Sequence, residues 1–83
     1  MSTIQTQILS GWSDFLMSLM SQYMILGSMV SMGQVDEITD KSVTVRFPSH
    51  LPMYTKEATR ARELVESKMN DFFDTDLRLT ITG

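Results

Sequence analysis

Ile8, Trp12, Phe15, Leu16, Leu19 and Tyr23 recur at three- and four-residue steps, with Ser10, Ser13, Asp14, Ser18, Ser21 and Gln22 between them. On a helix that spacing gathers the apolar set on one face, so residues 4–24 are predicted helical, with Ser2 or Thr3 as the cap. The next apolar run, ILGSMVSM at 25–32, predicts a short second helix after a bend at Gly27, with Gly33 as its C-terminal cap. A two-residue period then takes over. Val35 to Thr39 predicts a short acidic strand, and Asp40-Lys41 a tight turn. Val43, Val45 and Phe47 alternate with Ser42, Thr44 and Arg46, the pattern of a strand with one buried face. Pro48 ends that strand, because it has no N–H for a ladder.

The helical rhythm returns from about Tyr54 to Phe73, with Thr55 as a cap. Tyr54, Ala58, Ala61, Val65, Met69 and Phe72 mark the predicted buried face, with Leu64 and Phe73 beside it. Glu57 with Arg60 and Arg62 with Glu66 have the spacing of helix-surface ion pairs. Leu77, Leu79 and Ile81 then alternate with Arg78, Thr80 and Thr82, which predicts a closing strand. The expected fold class is α+β, in the order α-(α)-β-β-α-β. It implies a small three-stranded sheet with the helices packed on one face. The other face, carrying Thr44, Arg46, Arg78 and Thr80, would be wet.

Charge is distributed unevenly, and this changes the picture. The chain has 83 residues and a formal net charge of −3. The first 35 residues hold a single formally charged side chain, Asp14, and six of the eight Met fall within residues 1–32. A surface helix normally carries charge on its wet face; here Ser, Gln and Met stand in its place. Residues 15–32 are apolar-rich, but Ser18, Ser21, Gln22, Gly27, Ser28 and Ser31 interrupt them, so no membrane association is expected. The chain has no Cys, which excludes disulfides and thiolate metal sites.

The N-terminal pattern points to a protein-binding surface. Met17, Met20, Met24, Met29 and Met32 are more than the core of so small a domain can absorb, and Met suits adaptable contacts. A neutral Ser/Met surface also brings few charges that need desolvating. Arg46 and Arg78 share the wet sheet face and are the weak candidates for nucleic-acid contact. The acidic balance and the lack of a GxxG loop disfavour that role. His50 stands alone, and Asp71, Asp74 and Asp76 lack the Gly and Glu that complete a calcium loop. No catalytic residue, metal ligand or cofactor site is assigned.

The order of elements, with Trp12 and Phe15-Leu16 in the first helix, SVTVRFP at 42–48, RARELVESKMNDFF at 60–73 and LRLTI at 77–81, resembles a known module. It is similar to the KH-like domain near the C-terminus of the bacterial DNA polymerase III gamma/tau subunit, the clamp-loader motor component. The resemblance spans nearly the whole chain and is a pattern of apolar positions. The N-terminal domain of the bacterial replication initiator shows a similar order, with a more highly charged first helix. The gamma/tau resemblance implies that residues 1–83 form a single cytoplasmic interaction domain, a piece of a longer replication protein. It would have no catalysis of its own, since the ATPase machinery of that family lies in an upstream domain and no P-loop occurs here. The implied partner is a replisome protein, foremost the polymerase III catalytic subunit. Self-association through the first helix is the competing expectation, and Met17→Lys should abolish it.

Overall fold

The computed structural model describes residues 3–83. The elements are α1 (Thr3–Gln22), α2 (Met24–Val30), β1 (Gln34–Ile38), β2 (Ser42–Arg46), α3 (Pro52–Arg60), α4 (Arg62–Phe73) and β3 (Arg78–Thr82). The α+β architecture is the expected one, with the last helical segment divided in two. The sheet order is β1-β2-β3. β1 and β2 form an antiparallel hairpin, with Val35 opposite Val45 and Ile38 opposite Val43, and a bulge between Val35 and Glu37. β3 lies parallel to β2, with Val43 opposite Leu79 and Val45 opposite Ile81.

That register puts Val43, Val45 and Leu79 on one face of the sheet, and all three are buried. Ile8, Phe15 and Leu19 of α1 cover this face together with Ala58, Val65, Met69 and Phe73 of α3 and α4. Arg46, Arg78 and Thr80 on the opposite face are exposed, as the alternation requires. An aromatic seam joins α1 to α4. The Phe15 ring lies 5.1 Å from Trp12, 5.8 Å from Phe72 and 5.9 Å from Phe73, centroid to centroid.

The structure departs from the sequence pattern in several places. The long helix starts at Pro52, whose missing N–H costs nothing in a first turn, and Leu51, not Thr55, occupies the cap position. It breaks at Ala61 (φ −97°, ψ 10°), which joins α3 to α4. The Ala61 N–H still reaches the Glu57 carbonyl at 3.2 Å, and the Val65 N–H reaches the Ala61 carbonyl at 3.0 Å. Beyond the bend the inward row is Val65, Met69 and Phe73, at four-residue steps. Phe73 therefore takes the core position expected of Phe72. Phe72, one step aside, stays 42% exposed and covers the flank of Phe15. Leu64 is likewise exposed.

Neither glycine of the α2 region acts as anticipated. Gly27 lies inside α2, and the bend falls at Tyr23 (φ −139°, ψ 80°). Gly33 has no positive φ and is not a left-handed cap. Its hydrogen atom faces Val45 Cγ1 and the Phe47 ring, which a Cβ would meet at 2.6 and 3.0 Å. Of the two expected caps of the first helix, Thr3 is already its first residue and Ser2 lies outside the described residues.

The turn from α4 to β3 is closed by Asp74 in the left-handed region, φ 55°. That conformation costs an L-residue about 1–2 kcal/mol, and a negative charge is unfavourable at a helix C-terminus. Asp74→Gly is expected to raise stability by about 1 kcal/mol, or the melting temperature by about 4–8 °C. A thermal melt followed by circular dichroism reads this directly; a lower melting temperature would mean the Asp74 side chain stabilises the turn.

Candidate protein-docking surface

The α1–α2 corner is built by one residue. The Tyr23 N–H completes the α1 ladder to the Leu19 carbonyl at 2.7 Å, and the Tyr23 carbonyl accepts from the Gly27 N–H at 2.7 Å. Tyr23 thus ends one ladder and begins the next as the chain changes direction. α2 then folds back so closely on α1 that a Cβ at Gly27 would stand 2.6 Å from the Met20 amide nitrogen. The corner turns Tyr23, Met24 and Ile25 outward, while Leu26 packs against the core. Ile25 is 85% exposed and Met24 73%.

Across from this corner stands the α3–α4 bend. Tyr23, Met24, Ile25, Leu26 and Met29 form one wall of an open apolar groove, and Glu57, Arg60 and Ala61 form the other. Glu57 and Arg60 pair with each other at 3.1 Å along the α3 rim. Exposed pairs of this kind are worth little energetically, so the rim charges leave the groove free to bury apolar surface. Lys68 Nζ sits 5.8 Å from the Tyr23 ring centroid and frames the side of the corner facing α4.

The five candidate methionines separate. Met24 and Met29 line the groove. Met20 is half-buried, its Cγ lying against the backbone of Gly27, so it belongs to the α1–α2 contact. Met17 is 65% exposed on α1 and is not among the residues lining the groove. Met32 is exposed in a separate cleft beside Arg46 and Pro48. Tyr23, whose spacing places it with the apolar face of α1, is exposed, as is Ile25. The signal was present in the run YMIL: four successive apolar residues on a helix point in directions about 100° apart and cannot all face inward.

The two arginines of the wet face also separate. Arg46 stands opposite Thr82 and Arg78 opposite Ser42, so they occupy opposite ends of the paired strands. Four residues of strand place them about 13 Å apart along the sheet. The Arg46 guanidinium is held by Asp36 at 3.1 Å. The sheet face therefore presents no cluster of cations on which successive phosphates could sit.

Among the described residues, no group of three or more His, Asp or Glu could hold a metal ion. No described helix is long and apolar enough to cross a membrane. Comparison of the chain with protein-family models, with curated proteins and with solved structures finds no match.

Proposed function

We propose that this domain is a tethering module of a DNA polymerase III gamma/tau-like subunit, binding a replisome protein through the α1–α2 corner and the groove beside it. The resemblance of SVTVRFP, RARELVESKMNDFF and LRLTI supplies the family. The observation that carries the docking surface is the outward display of Met24 and Ile25 beside an apolar groove, on a segment almost free of charge. Large apolar side chains exposed together on a small domain mark a contact site. The mechanism is proximity: a partner held here is kept at high effective concentration near the ATP-driven clamp loader through the linker between domains. The polymerase III catalytic subunit is the proposed occupant.

The test is a titration of the domain against that subunit, with single-stranded DNA as a parallel ligand. Ile25→Glu is expected to weaken protein binding about tenfold or more, because it places an unpaired charge in a desolvated contact. Ile25 makes no core contact, so the melting temperature should not move. Unchanged binding by Ile25→Glu would remove the corner from the interface. Salt-sensitive binding to DNA alone, lost in Arg46→Ala and Arg78→Ala, would replace the tether with a nucleic-acid module.

A further inference from the structure

β3 pairs on one side only, with β2. The Arg78 N–H reaches the Lys41 carbonyl at 2.8 Å, and the Phe47 N–H reaches the Thr82 carbonyl at 2.8 Å. Even-numbered residues of the segment thus face β2, and by alternation the peptide groups of Leu77, Leu79 and Ile81 turn outward. An edge of unpaired peptide groups is a template for a strand from another chain.

Two of these three outward residues, Leu77 and Leu79, are already engaged, from the same helix. The Leu77 N–H donates to Asn70 Oδ1 at 2.9 Å, and the Leu77 carbonyl accepts from Asn70 Nδ2 at 2.9 Å. The Leu79 N–H donates to Glu66 Oε2 at 2.9 Å, and the Leu79 carbonyl accepts from the Arg62 guanidinium at 3.1 Å. Arg62 and Glu66 are themselves ion-paired, which fixes donor and acceptor relative to each other. A neighbouring strand would likewise supply one donor and one acceptor to every second residue.

The match has a geometric cause. Arg62, Glu66 and Asn70 lie four residues apart on one stripe of α4. Four helical residues rise about 6.0 Å. Two strand residues rise about 6.6 Å. The step from Glu66 to Asn70 therefore matches the step from Leu79 to Leu77, and the longer Arg62 side chain reaches back to the same Leu79 as Glu66. The Glu66 carboxyl is held below the usual carboxylate range, first by the Leu79 N–H, with Arg62 adding to the effect and burial opposing it.

We propose that the Arg62/Glu66/Asn70 stripe is a surrogate strand that closes the 77–79 stretch of the β3 edge to strand addition by a second copy of this chain. The stripe thus covers the first half of the β3 edge, while β1 forms the opposite edge of the sheet. The device stands independently of the tethering reading.

The experiment compares the domain with the double variant Arg62→Met/Glu66→Met, following mass by sedimentation across concentration and the Leu79 amide by hydrogen exchange. Val65→Ala serves as the control, since it weakens the same helix without touching the edge. The wild-type Leu79 amide is expected to be protected. In the dilute double variant it should exchange about tenfold faster or more, and the mass should rise with concentration above that of the wild type. Glu66→Ala gives the same two readings in a milder form if the double variant does not fold. An unprotected Leu79 amide in the wild type would overturn the proposal. So would a variant that keeps the wild-type mass, or a Val65→Ala control that associates as strongly.

Discussion

Replacing Phe15 by Ala is expected to lower the unfolding free energy by about 3–5 kcal/mol, the range for emptying an aromatic site in a packed core. Phe15 is 1% exposed and sits where α1 meets α4. Its ring contacts Trp12 on its own helix and both Phe72 and Phe73 on the other. Those three rings are anchored to two different helices, so they cannot all collapse into the space it leaves. A domain of this size is stable by only about 4–12 kcal/mol. The variant should therefore lie near its folding threshold at ordinary temperature. Urea denaturation measures the difference, with the slope unchanged if the unfolded state is the same. A loss under about 1 kcal/mol would mean the α1–α4 seam relaxes around the hole.

Gly27→Val should be nearly as damaging, for the opposite reason. A Cβ at Gly27 would lie 2.6 Å from the Met20 nitrogen and 2.7 Å from the Met20 Cα. These are backbone atoms inside a hydrogen-bonded helix, and they cannot rotate aside as a side chain does. α2 must move away from α1, which is expected to cost about 3 kcal/mol or more. The displacement carries Leu26 and Met29 with it, so partner binding should fall along with stability. Ile25→Glu, by contrast, should change binding alone. A thermal melt and a binding titration on the two variants separate the effects. A Gly27→Val protein with wild-type stability would mean the α1–α2 contact is looser than the packing of Gly27 on Met20 indicates.

Much of the architecture was legible in the order of residues. The alternation of Val43, Val45 and Phe47 named the buried face of β2, and Leu79 did the same for β3. Ile8, Trp12, Phe15 and Leu19 named the buried stripe of α1. These readings succeed because one buried face imposes a fixed period on any strand or helix. The docking surface was half legible. Too many methionines for the core pointed to the right stretch of chain, but not to which of them share a groove. Met24 and Met29 line the groove while Met32 lies in another cleft, because the Tyr23 bend and the glycine contact set the path of α2.

Local periodicity thus dictated the element types, their order and most of the core, since these depend on near neighbours along the chain. Where an element bends or how two elements meet depends on residues far apart in sequence. Ala61 breaks the last helix within a pattern that reads as continuous. Phe73 displaces Phe72 from the core because of the row by which α4 meets α1 and the sheet. Arg62 and Glu66 read as one more surface ion pair until folding brings Leu79 beside them, thirteen residues beyond Glu66. A pair spacing of four says only that two side chains share a helix face. What that face meets is settled when the strand arrives.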